Sequence, residues 1–242
     1  MQNIRVENLL LIDIETVPQY SLFDELNEEW KLLWTEKVQR NLPETVSAEE
    51  FYPLRAGVMA EFAKVICISI GYFKKESNNF QLRLKSFYGD DEKILLKDFI
   101  NTINQMEAGN NKWSFCGHNI KEFDIPFICR RLLVNGLAIP PYLGFQNMKP
   151  WETNIVDTFQ YWRFGDYKQY TSLKLLAATL GIPSPKDDID GSMVAEVYWV
   201  EKNLERIVTY CQKDVITTGN IVLRFKNMPL LTEAQIIIAS LQ

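Results

Sequence analysis

The run Leu9-Leu10-Leu11-Ile12 leads straight into Asp13-Ile14-Glu15-Thr16. Four aliphatic residues without strict alternation read as a short buried strand. Successive side chains on a strand point to opposite faces, so residues two apart share one. Asp13 and Glu15 therefore project together from one side of an apolar strand. Two adjacent carboxylates repel, and burying either without compensation is costly. A divalent metal ion is the simplest offset, because hard cations such as Mg2+ take oxygen ligands.

The rest of the composition narrows the chemistry. The chain has 242 residues, enough for one large domain or two small ones. Its net charge of -5 argues against a broad basic footprint on nucleic acid. It leaves room for nucleic acid held at one small site, where bound cations reverse the local sign. A single histidine, His118, excludes zinc sites built on two or three histidines. Any Ser-His or Cys-His catalytic device would have to use that one residue. No glycine loop of the Walker or dinucleotide type occurs. Cys67, Cys116, Cys129 and Cys211 form no CxxC pair and fit buried free thiols in a reducing cytoplasm. The N-terminal apolar run is short and carries an aspartate, so it is not expected to be a signal peptide. No stretch approaches the roughly 20 apolar residues of a membrane helix.

Periodicity outlines the elements. Leu22, Leu26, Trp30, Leu33, Trp34 and Val38 recur at helical spacing within a long excursion, about residues 18–62. Ser47 with Glu50 fits a capping box, and Pro53 limits the helix that follows. Residues 64–73 and 80–88 read as two strands joined by a turn at Ser77-Asn78-Asn79. A helix is expected over 94–103, a strand over 113–116, and a helix over 123–133 with Pro126 in its first turn. Ile155-Val156 suggests a short strand before Asp157. Residues 173–180 form a helix stopped by Gly181 and Pro183. The longest helix covers 204–225, and a final one runs over 232–241. Strands mixed with helices predict an α/β or α+β sheet covered by helices. The chain reads as one domain, 1–242, with a helical insertion at about 18–62.

Three further residues join the opening pair. Leu204, Ile207, Val208, Cys211 and Val215 make an apolar stripe on the long helix. Tyr210 and Asp214 lie four apart at its edge, on one face. Asp124 follows Gly117-His118-Asn119-Ile120-Lys121-Glu122-Phe123 beside a helix start, where capping is the ordinary role. Taken singly, Asp124 and Asp214 have ordinary structural explanations.

In combination the order is distinctive. Asp-x-Glu on a first strand, Asn-x3-Phe-Asp, then Tyr-x3-Asp on a late helix resembles the DEDDy group of 3'-5' exonucleases in the ribonuclease H-like superfamily. It is most similar to stand-alone proteins like the proofreading exonuclease domain of B-family DNA polymerases. Phe51-Tyr52-Pro53, Glu61-Phe62-Ala63-Lys64 and Asp188-Ile189-Asp190-Gly191-Ser192 extend the likeness, which spans about residues 9–225. The resemblance implies a mixed central β-sheet flanked by α-helices. It implies that Asp13, Glu15, Asp124 and Asp214 hold two divalent ions, Mg2+ or Mn2+, and that Tyr210 orients the attacking water. It implies a single-stranded DNA 3' end as substrate and nucleoside 5'-monophosphates as products. Thr16, Asn119 and Phe123 match positions near the terminal nucleotide.

Other expectations attach to neighbouring residues. Core packing is nearly as good an account of Phe123, and capping the turn after the strand an account of Thr16. His118 is expected to pack or hydrogen-bond locally. Asp157 and Asp190 are candidates to support the site, with turn chemistry the alternative for Asp190. Tyr161-Trp162-Arg163-Phe164 with Tyr167-Lys168-Gln169-Tyr170 interleaves aromatics and cations, a pattern suited to single strands, and is read here as a packed loop. Three rivals stay open: an exoribonuclease of the same chemistry, a non-catalytic nucleic-acid-binding module, and an assembly subunit contacting a partner through Trp30 or Trp34.

Overall fold

The computed structural model describes residues 4–76, 79–109, 113–146, 148–149, 152–183 and 189–239. Six strands form one mixed sheet in the order β5-β4-β1-β2-β3-β6. Strand β1 (Leu9–Pro18) pairs antiparallel with β2 (Ala63–Glu76), which pairs antiparallel with β3 (Asn79–Tyr88). Strands β4 (Ser114–Gly117) and β5 (Ile155–Asp157) extend the sheet in parallel beyond β1. Strand β6 (Ile236–Ile238) pairs in parallel with β3 at the far edge.

The alternation of β1 decides what meets what. Leu10, Ile12 and Ile14 join the core with α3 (Glu92–Glu107) and α4 (Asp124–Val134). Leu9 and Leu11 join the opposite core with α8 (Leu204–Phe225) through Val215, Val222 and Leu223. Asp13 and Glu15 continue the parity of Leu9 and Leu11, so they fall on the α8 side. Gly71 on β2 lets that helix lie close: a Cβ there would come within 2.9 Å of Val215 Cγ1. Gly117 does the same at the end of β4, where a Cβ would meet Ile120 Cγ2 at 2.1 Å and the Ile12 carbonyl at 2.8 Å. Only glycine fits that crossing.

Most elements fall where the sequence pattern puts them, and α8 has the expected bounds. The excursion differs in detail. The helix α1 (Glu28–Val38) starts at an Asn27 cap, and only a single 3-10 turn, Phe23–Glu25, precedes it. Leu22 and Leu33 are exposed rather than part of an apolar stripe. The Ser47–Glu50 capping box opens α2 (Ala48–Arg55), which continues two residues past Pro53. Trp34 is fully buried against Phe51, Tyr52 and Phe62, so it offers no surface to a partner.

Two short helices, α5 (Thr158–Arg163) and α7 (Val194–Trp199), escape the periodicity, each being six residues. α6 (Leu173–Thr179) is as expected. The final helix over 232–241 does not form: a 3-10 turn, Glu233–Gln235, gives way to β6. Three consecutive isoleucines favour a strand, and the open edge of β3 supplies its partner. Ser77, Asn78, Asp188 and residues 240–242 lie outside the described residues. Among the described residues no helix is long and apolar enough to cross a membrane.

One buried ion pair ties the layers on the α3/α4 side. Arg131 on α4 holds Glu92 with Nε at 2.9 Å and Nη2 at 2.6 Å, and both side chains are almost inaccessible. Arg131 Nη1 donates to the Ala60 carbonyl, and Glu92 accepts from the Val65 N–H and from Asn135. Every charge-bearing atom is paired, which is the condition for such a pair to be tolerated. Arg131→Met would leave Glu92 buried without its counter-ion. The expected loss is about 3–5 kcal/mol, read as a lowered urea midpoint with an unchanged slope. Arg131→Met with Glu92→Met should recover most of it; failure to recover would place the cost in lost packing instead.

Candidate active site

The carboxylates meet where the β4 ladder stops. β4 covers β1 only at Leu9, Leu10 and Leu11, so further along β1 the edge facing β4 is bare. Asp124, the first residue of α4, fills that gap: its Oδ1 accepts the Ile14 N–H at 3.1 Å. It is therefore no helix cap, although capping was its plainest explanation. From the other side α8 brings Tyr210, Cys211 and Asp214 over Asp13 and Glu15. Asp13, Glu15, Asp124, Tyr210 and Asp214 all line one cavity of about 560 Å³, together with Asn119 and Phe123.

The electrostatics follow from burial. Glu15 and Asp124 are buried, at 8% and 4% exposure. Asp13 keeps part of its surface open to the cavity, but its Oδ2 is buried with no hydrogen-bond partner. Burial first, and then Asp214, Glu15 and Asp124, hold the Asp13 carboxyl well above the usual carboxylate range. Glu15 is raised in the same way, by burial and then by Asp214, Cys67 and Asp124. Asp124 is pushed up to about 7 by burial, with Asp157 and Asp214 adding to it, despite the backbone N–H donors that favour its charged form. The phenol of Tyr210 hydrogen-bonds Asp214, and burial together with Asp214, Glu15 and Asp13 drives it far above its ordinary value.

This donor set fits divalent cations. Ligand atoms of Asp13, Glu15 and Cys211 lie within 4.8 Å of one another. The Cys211 thiol is already engaged, donating to the Asp13 carbonyl at 3.5 Å, and burial raises its pKa well above the ordinary value. What is left is oxygen, with one buried carboxylate oxygen unpaired, as a hard cation requires.

The expected substrate-contacting residues separate. Asn119 has a left-handed backbone, φ 64°, fixed by its N–H donating to Asp157 at 3.0 Å. Its Oδ1 is buried without a partner and the residue lines the cavity. Phe123 packs on Phe127 at 5.3 Å and still lines the cavity, so the packing and contact readings coexist. Thr16 is not brought in: its hydroxyl donates to the Gly57 carbonyl at 2.6 Å, and it lines an adjoining cavity of about 220 Å³. β1 continues to Pro18, so Thr16 caps no turn, and the register slips between Glu15 and Thr16.

His118 is locked by Thr158 Oγ1 and the Thr171 carbonyl. Asp157 caps α5 and binds the N–H groups of Asn119 and Lys121, so it holds the loop that carries Asn119. Asp190 makes a turn with Ser192 and also reaches the cavity wall. The sequence reading missed Lys174 and Cys211 at the site, and read Tyr170, which lines the cavity, as part of a packed loop. Cys211 adjoins Tyr210 in sequence, but its place in the apolar stripe marked it only as a buried thiol.

These shifts make a stability prediction. Asp124 loses its proton near 3.8 when unfolded and near 7 when folded. The folded state thus holds a proton that the unfolded state has released. That stabilisation is complete below about pH 4 and lost as pH rises through about 7; Asp13 and Glu15 shift in the same direction. In chelator, the melting temperature should fall between about pH 4 and 7, and Mg2+ should restore it. Asp13→Asn should flatten the fall and abolish the Mg2+ effect. A melting temperature that climbs with pH in chelator is incompatible with this.

Residues 58–236 match the family described as a predicted 3'-5' exonuclease related to the exonuclease domain of PolB. No curated protein matches the chain. Among solved structures, the family B DNA polymerase from the hyperthermophilic archaeon Pyrobaculum calidifontis is similar at 17% identity and a TM-score of 0.50. The likeness covers 87% of this chain and 23% of the polymerase, and it speaks for the fold. With the family match spanning most of the chain, it belongs to the predicted 3'-5' exonucleases related to the exonuclease domain of PolB.

Proposed function

We propose that this protein is a divalent-cation-dependent 3'-5' exonuclease acting on single-stranded DNA and releasing nucleoside 5'-monophosphates. One observation carries the reading. Four carboxylates and a tyrosine drawn from β1, α4 and α8 line one cavity, with an unpaired carboxylate oxygen inside it. Asp13, Glu15, Asp124 and Asp214 would hold two Mg2+ or Mn2+ ions. Bound there, such ions supply Lewis acidity toward both oxygens of an in-line phosphoryl displacement and lower the pKa of a water.

The chain's own groups do the rest. Tyr210 stays protonated at any physiological pH, because its phenol is raised above an already high value. Its single O–H is donated to Asp214, so its oxygen would orient the attacking water as a hydrogen-bond acceptor, or as a donor once Asp214 turns to a cation, and in neither case as a base. Asn119 lines the cavity, and its side-chain oxygen, buried without a partner, would accept from a sugar hydroxyl once the side chain turns toward the substrate. Phe123 gives an apolar wall on which a terminal base can stack. Val58, at the end of the 18–62 excursion, closes another part of the wall. We read that excursion as a helical insertion in a single exonuclease domain, 1–242. A cytoplasmic location suits four cysteines that are all free thiols.

The test is digestion of an oligonucleotide labelled at its 5' end, with Mg2+ or Mn2+. A ladder shortening from the 3' end is expected, with mononucleotide release. Asp124→Ala should lower the rate at least about 10²-fold; an unchanged rate would sink the proposal. Tyr210→Phe should cost about 10²-fold through misplaced water and leave the shape of the pH profile between about 7 and 10 as it was. Matched DNA and RNA strands in the same assay decide the sugar. Tight binding of single strands with no cleavage would instead favour a non-catalytic binding module.

A further inference from the structure

Three aromatic side chains beside the site leave most of their surface open to solvent. Phe164 is 83% exposed, Tyr167 77% and Tyr170 62%, whereas Tyr20, the next exposed aromatic, stands at 43%. They follow α5 in a stretch read from sequence as a packed loop. Tyr161 and Trp162 do pack, on Phe225 and within the α6 cluster. The next three aromatics each meet a neighbour on one side only and are otherwise exposed. Phe164 also sits in the left-handed region, φ 46°, followed by Gly165 at φ 88°. A bulky residue held there is strained, and at this exposure burial does not offset the strain.

The exposed rings are continuous with the cavity. Tyr170 lines it alongside the carboxylates, and its ring lies 4.9 Å from Phe159. The Arg163 guanidinium sits 4.0 Å over Phe159 and 5.3 Å from Tyr167. Phe164 stands 5.9 Å from Tyr161. The charge along this path is positive although the chain as a whole is acidic: Arg163, Lys168 and Lys174 against Asp166, with Lys174 itself on the cavity wall. Arg163 is partly neutralised by Glu122 at 3.2 Å.

We propose that Tyr170, Tyr167 and Phe164 form a stacking track for the bases of a single strand whose 3' end lies in the cavity, with Lys168 and Lys174 facing its phosphates. The inference rests on the exonuclease reading for the position of the 3' end. Aromatic faces accept any base, so the track is indifferent to sequence. It does demand unpaired bases, because duplex bases are already stacked on one another. Cations interleaved with the rings, and the run into a phosphoryl-transfer cavity, select nucleic acid over an apolar protein partner.

The test uses Phe164→Ala with Tyr167→Ala, sparing Tyr170 because it lines the cavity. Both side chains are exposed, so the melting temperature should not change. Binding of a fluorescent 12-nucleotide oligothymidylate is followed by anisotropy, with Ca2+ replacing Mg2+. Kd should rise about 30-fold or more, and Phe164→Trp with Tyr167→Trp should retain wild-type affinity. Hydrolysis of the p-nitrophenyl ester of thymidine 5'-phosphate, too short to reach the track, should be unaffected. An unchanged Kd, or a blunt duplex competing as well as the single strand, overturns the track. If the wild type binds the oligonucleotide but cleaves neither substrate, the exonuclease reading fails while the anisotropy still scores the track.

Discussion

Carboxylates crowded into a space from which water is largely excluded are the constraint that shapes this molecule. A lone buried carboxylate can take up a proton and become harmless. Four in one cavity each make their neighbours harder to ionise, and Asp13, Glu15 and Asp124 all lie above the usual range, by burial first and by their neighbours second. Among the described residues, the arginine buried in the core, Arg131, is paired with Glu92 at a different place. Lys174 reaches the wall of the carboxylate cavity, while Glu15 and Asp124 themselves stay buried. The surrounding scaffold holds these carboxylates together.

That scaffold works by fixing where strands end. β4 stops at Gly117, crossing β1 so closely that no side chain fits. The stop leaves the Ile14 N–H open, and Asp124 takes it. Had β4 run three residues further, its own carbonyls would compete for that N–H. On the opposite face, the contact of α8 with Gly71 and Leu11 sets the height of Tyr210 and Asp214 above β1. A carboxylate placed by a backbone hydrogen bond and a helix placed by glycine contacts leave little freedom for the site to drift.

Sequence pattern made the paired carboxylates and the long helix legible because both rest on simple periods. Asp13 and Glu15 obey the two-residue period of a strand, and Tyr210 and Asp214 the four-residue spacing of a helix. Asp124 needed the ordered motif, since its local context looked like a cap. α5 and α7 were invisible because six residues hold less than two turns of periodicity. The C-terminal strand was misread for another reason: its partner, the β3 edge, lies far away in the sequence, and pairing overrode a local helical pattern. The slip in register after Glu15, which no local signal announces, leaves Thr16 on an adjoining cavity shared with Glu15 and Phe123.

The spread of the cluster along the chain has a consequence for when the protein can act. Its parts come from β1 at the start, α4 in the middle and α8 near the end. A nascent chain that has only reached Asp124 has made three of the four carboxylates and none of the helix that covers them. At about 5–20 residues per second, the stretch from Asp124 to Asp214 takes roughly five to twenty seconds more to synthesise. Contacts between segments this distant also form late in folding. The arrangement acts as a timer: the carboxylate cavity is complete only once β1, α4 and α8 have all been made and have come together.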